Sequence, residues 1–206
     1  MEQTSLVRNS EFILWADNEH ATVYYRKLSS IHGEAVVFTT ERGICGFHFL
    51  DQPLAYYLHV AEKKFNTLPV YAPVHARASW WQPIHSATET LPLVVRGTSF
   101  QRRVWHALCT IPIGTTCSYQ TLAVQLGQPQ GARAVANAIA NNFIAWLIPC
   151  HRVVRKNGQM GGYVWGVKKK VALLEHEKKH QSVVATQNFS KLRTHPTGGV
   201  AACTFT

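Results

Sequence analysis

The sequence has no hydrophobic run long enough to cross a membrane. Its longest apolar stretch covers residues 143–148, whereas a membrane-spanning helix needs about 20 apolar residues. The first five residues lack the basic and apolar regions of a secretory signal, and no internal repeat is present. We therefore expect an intracellular protein of 206 residues that forms one large domain or two small ones.

Cysteine is scarce, and its spacing suggests no pairing. The five cysteines form no Cys-X-X-Cys pair, and an odd number leaves at least one outside any disulfide framework. The eleven histidines are scattered, and no Cys/His run has the spacing of a zinc site. We therefore expect reduced thiols and no metal ion. The cysteines are Cys45, Cys109, Cys117, Cys150 and Cys203.

Acidic residues are almost absent from one part of the chain. Residues 91–180 contain twelve Lys/Arg and two Asp/Glu, whereas residues 1–90 contain seven and nine. This asymmetry is typical of a protein that binds nucleic acid or an acidic membrane surface. A basic solvated face without a partner gives the same pattern and stays open as an alternative.

The step in charge coincides with a change in secondary-structure pattern. Strands are predicted at 22–25, 34–38 and 44–50, and a helix at about 53–65. Beyond residue 91 helices dominate; the first opens with a capping box formed by Thr98 and Gln101, and the last covers about 168–179. We predict an α+β protein with three parts: an N-terminal α/β domain with a small antiparallel sheet (1–90), a mostly helical C-terminal domain (91–180) and a mobile tail (181–206).

Two short helices separated by a turn are predicted at 119–126 and 132–140. Ser118 suits the N-cap of the first helix, and residues 127–130 form a strong stop signal. The second helix presents small residues and one long cation, Arg133. Such a slim surface is able to approach DNA closely, while a packing helix with an exposed arginine is the alternative.

The pentapeptide at residues 149–153, Pro-Cys-His-Arg-Val, places a thiol beside an imidazole at the end of the apolar run. Thiolate is the nucleophilic form of cysteine, and an adjacent base helps to form it near neutral pH. Two other readings stay open on these residues. Cys150 could be an inert buried thiol in a helix-turn-helix regulator, or the nucleophile of a Cys-His hydrolase, whose partners are normally far apart in the sequence.

Six segments, taken in order, resemble the O6-alkylguanine-DNA alkyltransferases, also called methylated-DNA–protein-cysteine methyltransferases, of the bacterial type. The strong match covers about residues 91–179, and a weaker one at 40–44 extends it toward the N-terminus. The first segment contains Arg96-Gly97-Thr98, Phe100-Gln101 and Val104-Trp105, and the second contains Ser118-Tyr119-Gln120 and Leu122-Ala123. The third is Arg133-Ala134-Val135, the fourth is Asn142, the fifth runs from Ile148 through Val154, and the sixth contains Gly162-Tyr163 and Trp165-Gly166.

The resemblance implies DNA repair by direct reversal of damage. The family transfers an alkyl group, once and irreversibly, from O6 of guanine (less readily from O4 of thymine) to its own cysteine. It also implies a monomer without a cofactor, acting on double-stranded DNA in a bacterial cytoplasm or a eukaryotic nucleus. The N-terminal domain is expected to be ribonuclease-H-like, and the zinc of some relatives is not expected, because Thr40 occupies the place of a cysteine.

By the same resemblance, Cys150 is the acceptor, and His151 removes its proton through a water molecule. Glu177 orients His151 and stabilises its charge. Tyr119 donates a proton to the departing guanine. Asn142 is the hinge between the helix pair and the active-site segment.

The resemblance also implies that the damaged base is flipped out of the helix, with Arg133 filling the gap from the minor groove. The other DNA contacts implied are from Ser118, Tyr119, Ala132, Ala134 and Arg152. The flipped base is expected against Val153, Tyr163, Val164 and Trp165; Val164 stands where several relatives carry a polar residue. Relatives that only bind damage have tryptophan in place of the cysteine, which Cys150 argues against.

Overall fold

Strands dominate the first half of the chain and helices the second. The computed structural model describes residues 11–16, 20–72 and 91–192, with side chains described through residue 179. The strands are β1 (Glu11–Leu14), β2 (Tyr24–Ser30), β3 (Gly33–Thr40), β4 (Gly43–Phe49), β5 (Val70–Tyr71), β6 (Pro92–Val95), β7 (Cys117–Ser118) and β8 (Val153–Val154). The helices are α1 (Leu54–Phe65), α2 (Ser99–Cys109), α3 (Tyr119–Gln125), α4 (Ala132–Ala140) and α5 (Val167–Leu192), and a 3₁₀ turn covers Cys150–Arg152.

The larger sheet has six strands in the order β1-β6-β4-β3-β2-β5. The pairs β2–β3 and β3–β4 are antiparallel, whereas β1–β6, β4–β6 and β2–β5 are parallel. The prediction of a small antiparallel sheet is therefore wrong, because the short strands β1, β5 and β6 extend the antiparallel strands into a mixed sheet. The α+β class is confirmed.

Strand β6 belongs to this sheet although it follows residue 90. It pairs in parallel with β1 along its whole length and contacts β4 through Leu93 and Ile44. The sheet thus continues to Val95, five residues past the boundary expected from the charge step. The apolar run at 91–95 carries no charge, so the charge pattern could not show that it is a strand of the first unit.

Every residue of β4 is buried, because the sheet is covered on both faces. On one face Cys45, Val36 and Phe38 pack with Tyr57, Ala61 and Phe65 of α1. On the other face a second apolar cluster joins the sheet to the C-terminal helices; it includes Phe47, Phe49, Leu93, Leu108, Leu122, Ile139 and Leu173. The chain therefore has one core on each side of the sheet, as expected for a layered α/β arrangement.

Most helix ends agree with the sequence. Thr98 and Gln101 form the predicted capping box, and Ser118 accepts a hydrogen bond from the Thr121 amide as the N-cap of α3. Helix α5 differs, since it continues to Leu192 instead of ending near residue 179. Residues 180–192 contain neither glycine nor proline, so nothing in the backbone stops the helix there. The rest of the predicted tail, residues 193–206, lies outside the described residues.

None of the helices described here is long and apolar enough to span a membrane.

Candidate active site

The segment that carries Cys150 is held between two sheets. Residues 143–145 pair with the middle of β4, where the amide of Phe47 donates to the carbonyl of Phe143 and the amide of Ala145 donates to that of Phe47. The chain then enters the 3₁₀ turn, and β8 follows, paired in parallel with β7. Cys150 is consequently fixed at both ends and is only 2% exposed.

Asn142 organises the chain before the thiol. Its side-chain amide donates to the carbonyls of Ile144 and Ile148, at 3.2 and 3.1 Å, and to Sγ of Cys150 at 3.2 Å. Its Oδ1 accepts from the amide of Ile144 at 3.0 Å. A single buried amide thus closes the loop that precedes Cys150 and contacts the sulfur as well, so the predicted hinge residue lies in the site.

A buried carboxylate stands behind His151. Oε1 of Glu177, from α5, lies 2.9 Å from Nε2 of His151, and Oε2 accepts the amide of Gly114 at 3.0 Å. Arg152 completes the cluster, with Nε at 3.1 and 3.0 Å from the two carboxylate oxygens and Nη2 at 2.7 Å from Oε1. Since charge-assisted bonds of this kind are strong and directional, the imidazole ring is held in one orientation.

Burial shapes the electrostatics of these groups. Burial alone would raise the pKa of Glu177, but hydrogen bonds from His151 and Arg152 outweigh it and lower that pKa to about 2. Burial lowers the pKa of His151, opposed by Glu177, and His151 Nδ1 has no hydrogen-bond partner among the described residues. The site therefore holds a fixed carboxylate and a neutral imidazole with one nitrogen available as a base.

The thiol itself is protonated at rest. Burial raises the pKa of Cys150, and the opposing influences are the Asn142 hydrogen bond, the charge of Lys170 and the hydroxyl of Tyr163. A thiol in this condition is unreactive until a base removes its proton. The arrangement therefore suits a nucleophile that a neighbouring base must activate.

Arg152 does not lie where the sequence placed it. We expected it to contact DNA, yet it is 8% exposed, and Nη1 donates to the carbonyl of Ile111 at 2.6 Å while its other nitrogens hold Glu177. A buried carboxylate requires a partner of opposite charge, and this requirement accounts for the position of Arg152. Its guanidinium is not available to a phosphate.

Tyr119 is brought to the thiol by the pairing of β7 with β8. Cys117 and Ser118 pair with Val153 and Val154, so the first residue of α3 starts beside the chain that leaves Cys150. Burial raises the pKa of Tyr119, and the nearby Cys150 raises it further. The phenol is therefore a proton donor and not a phenolate.

Gly161 makes room for Tyr119. Neither Gly161 nor Gly162 is among the glycines that adopt a positive φ. A Cβ atom built on Gly161 would lie 2.6 Å from the hydroxyl of Tyr119, whereas one on Gly162 would meet nothing within 4 Å. The glycine at 161 is needed for the close approach of the phenol.

The residues expected to contact the flipped guanine base surround the other side of the thiol. Tyr163 and Trp165 pack edge to face, with ring centroids 5.2 Å apart, and Val153 is fully buried. The Tyr163 hydroxyl is buried and makes no hydrogen bond of normal geometry within the described residues. Val164 is 57% exposed and lies at the rim.

The predicted DNA contacts of α4 lie on the surface, away from the polar cluster. Arg133 and Ala134 are exposed and Ala132 is half-buried, whereas Val135, Ala138 and Ile139 face the core. The indole Nε1 of Trp105 donates to the carbonyl of Ala138 at 2.8 Å and braces α4 against α2. Helix α4 thus presents a narrow outer face with one long cation.

Sequence reasoning missed Lys170. Its side chain is fully buried, and Nζ donates to the carbonyl of Val153 at 2.5 Å, close enough to Cys150 to lower the pKa of the thiol. Spacing along α5 could have shown it: Lys170, Leu173, Leu174 and Glu177 recur at helical intervals on one face. Two charged residues on an otherwise apolar face indicate a buried polar site.

Known proteins share much of this sequence. The family model described as the DNA-binding domain of 6-O-methylguanine DNA methyltransferase matches residues 99–179. The regulatory protein Ada of Salmonella typhimurium is 39% identical over 184 residues, which are 85% of this chain and 51% of that protein. A methylated-DNA–protein-cysteine methyltransferase of Shigella flexneri is 51% identical over 92 residues, 45% of this chain and 54% of the relative. The chain spans about half the length of the curated relatives it matches.

A solved structure extends the likeness to most of the chain. The structure of OGT from Mycobacterium tuberculosis in complex with DNA has a TM-score of 0.64 and 34% sequence identity, covering 77% of this chain and 94% of that one. Identity and coverage at this level indicate common descent as well as a common fold. The chain belongs to the O6-alkylguanine-DNA alkyltransferase family.

Proposed function

We propose that this protein repairs DNA by moving a methyl or other alkyl group from O6 of guanine, and less readily from O4 of thymine, to its own Cys150. The observation that carries the proposal is the buried thiol of Cys150 held by Asn142 and followed directly by an imidazole paired with a buried carboxylate. Displacement at an alkyl carbon requires a soft and strong nucleophile, and thiolate is the best that protein side chains offer.

The chemistry begins with proton removal. His151 accepts the thiol proton at Nδ1 through a bridging water, and Glu177 stabilises the imidazolium through Nε2. The thiolate attacks the alkyl carbon, so that an S–C bond forms while the O6–C bond breaks. The product is a thioether, which no thiol exchange reverses, and each molecule therefore acts once.

The departing guanine carries the electron pair of the broken bond and needs a proton or a strong hydrogen bond. Tyr119 is the donor in this proposal, because its raised pKa keeps the phenol protonated. Tyr163, Trp165, Val153 and the rim residue Val164 form the walls against which the base stacks. Lys170 and Asn142 stabilise the developing charge on sulfur.

The DNA partner is a duplex that contains O6-alkylguanine. Because Cys150 is 2% exposed, the base must leave the stack to reach it. Helices α3 and α4 act as a helix-turn-helix pair, with Ser118 and Tyr119 beside one strand and the small surface of Ala132 and Ala134 in the minor groove. Arg133 fills the space that the base leaves.

The finer architecture belongs to the same proposal. The antiparallel strands β2 to β4 followed by α1 support a ribonuclease-H-like N-terminal domain, which ends at Val95, where the sheet ends. The helical DNA-binding and alkyl-transfer domain follows to about residue 180. The proposal includes a monomer without a cofactor, because a thiol, an imidazole, a carboxylate and a phenol supply the nucleophile and the proton transfers.

Intact mass tests the proposal directly. After incubation with an oligonucleotide that contains O6-methylguanine, we expect a mass increase of one methyl group, which peptide mapping locates on Cys150. The increase should saturate at one methyl per protein. Folded, reduced protein that binds this DNA without gaining mass would show a damage sensor and would overturn the assignment.

A further inference from the structure

A cavity adjoins the candidate active site on the side of α1. It has a volume of about 690 Å³ and lies between α1, the turn after α4 and the loop at 164–165. Asn142, whose amide contacts the sulfur of Cys150 at 3.2 Å, lines it, and so does Trp165, which packs against Tyr163. The cavity thus lies next to the site and shares two residues with it, while Cys150 itself does not line it.

Five of the fourteen residues that line the cavity have aromatic rings. His48 lies between Phe143 and Tyr57, with ring centroids 4.2 and 5.3 Å away, and Tyr56 stands at the rim with 56% of its surface exposed. A large exposed tyrosine beside buried rings is a platform on which a planar group is able to stack.

Two ring nitrogens of residues that line the cavity lack partners in the described part of the chain. Nε2 of His48 and Nε1 of Trp165 are buried and make no hydrogen bond with any described residue. Buried ring nitrogens are nearly always paired, and burial lowers the pKa of His48 to about 3, so this ring is neutral. The cavity wall at this ring is therefore uncharged and suits contact with a planar group.

The charge at the mouth is suited to an anion. Lys63 is exposed at the rim, and Lys64 lines the wall beside it, with its ammonium 5.2 Å from the ring of Phe143. The acidic residue of the cavity, Asp51, already accepts the hydroxyl of Tyr57. Lys64 also donates to the carbonyl of Arg96, so the exposed Lys63 is the cation available to an anion. A planar group attached to a phosphate matches this combination of aromatic rings and an exposed lysine.

We propose that this cavity binds a second, unstacked nucleotide, the neighbour of the alkylated guanine in single-stranded DNA. The inference rests on the proposed function. In a duplex the neighbouring base stays paired and stacked, whereas in a single strand it is free to turn toward Tyr56 while its phosphate meets Lys63. The protein then gains a contact on single strands that duplex DNA does not provide.

The test compares methyl transfer from one oligonucleotide, containing a single O6-methylguanine, in single-stranded and duplex form. Tyr56→Ser and Lys63→Ala are measured against two matched controls, Tyr71→Ser and Lys27→Ala, on exposed positions of β5 and β2. We expect Tyr56→Ser to lower the ratio of single-strand to duplex rate about tenfold and Lys63→Ala to lower it less. The controls should leave this ratio unchanged.

A second measurement locates the nucleotide. When 5-iododeoxyuridine stands next to the lesion, ultraviolet light should cross-link the single strand to Tyr56. When the same label stands far from the lesion, no cross-link to Tyr56 is expected. If methyl transfer is normal but the rate ratios are unchanged, or the cross-links form elsewhere, the second nucleotide site is overturned and the proposed function stands. Absence of methyl transfer by the unmodified protein from both DNA forms would instead overturn the proposed function.

Discussion

Two thiols in different regions of this protein are equally buried and chemically unlike. Cys45, in the middle of β4, is 1% exposed and packs among apolar side chains of the sheet and α1. Cys150, at the edge of the helical region, is 2% exposed. Burial raises the pKa of both thiols, so the difference between them does not come from exposure.

The difference lies in what surrounds each sulfur. The Cys45 thiol has no side-chain hydrogen bond to lower its pKa, only its own backbone and the distant charge of Lys64. Cys150 has the amide of Asn142, the charge of Lys170 and the hydroxyl of Tyr163, and His151 follows it in the chain. A buried thiol becomes a nucleophile where dipoles and a base are arranged for its anion.

The largest expected effect separates the two thiols directly. Cys150→Ala should abolish methyl transfer while DNA binding persists, since the acceptor atom is lost and the DNA-facing helices are unchanged. Cys45→Ala should retain transfer, with a loss of stability of about 1 kcal/mol from the smaller apolar side chain. Single-turnover assays and urea unfolding measure the two effects. Residual transfer in Cys150→Ala would show that another residue is the acceptor.

The second-largest effect is expected from a substitution beside Cys150 that leaves the sulfur atom in place. Glu177→Gln keeps the shape of the side chain but removes the charge that holds His151 and Arg152, so we expect transfer to slow by about 100-fold or more. Stability should fall by about 3 kcal/mol, because Arg152 is left as a buried unpaired charge.

A matched control for this variant is Glu175→Gln, on the exposed side of α5. It removes the same charge from the same helix without touching the cluster. Equal rates for the two variants, measured on folded protein, would show that Glu177 has no part in activating the thiol.

Sequence reasoning reached the motif residues of this site but not the packing that joins them. Cys150, His151, Glu177 and Asn142 lie together as the resemblance implied. Arg152 was misplaced because a sequence does not show which cation neutralises a buried carboxylate. Lys170 was missed because a lysine near a helix start is ordinarily a solvated residue.

In the fold, too, the features set by local sequence were predictable and those set by distant contacts were not. Helix ends were predictable where local signals set them, as at Thr98 and Ser118. The mixed sheet depends on pairing between strands far apart in the chain, such as β1 with β6, and no local pattern contains that information. The extension of α5 to Leu192 was missed because that segment lacks periodicity, although it also lacks a stop signal.

A third prediction concerns access to the buried thiol and not its chemistry. Arg133→Ala should slow transfer from duplex DNA about tenfold, because the gap left by the flipped base is no longer filled. Transfer from a free O6-alkylguanine base should stay within twofold of the unmodified rate. Arg103→Ala, an exposed arginine on α2, is the control, and an equal loss on duplex and free base would contradict a flipping role.

The last and smallest effect is the pH dependence of stability that the carboxylate behind His151 contributes. The pKa of Glu177 is about 2 in the folded protein against an ordinary value of 4.5. Because the folded-state pKa is the lower one, its stabilisation is fully present above about pH 4.5 and is lost as the pH falls toward 2. The shift corresponds to about 3 kcal/mol. Urea unfolding at pH 5, 4 and 3 should give a steeper decline in the free energy of unfolding for the unmodified protein than for Glu177→Gln. The control variant Cys45→Ala should show the same decline as the unmodified protein. Parallel curves for all three proteins would mean that the cluster beside Cys150 does not hold Glu177 as an anion.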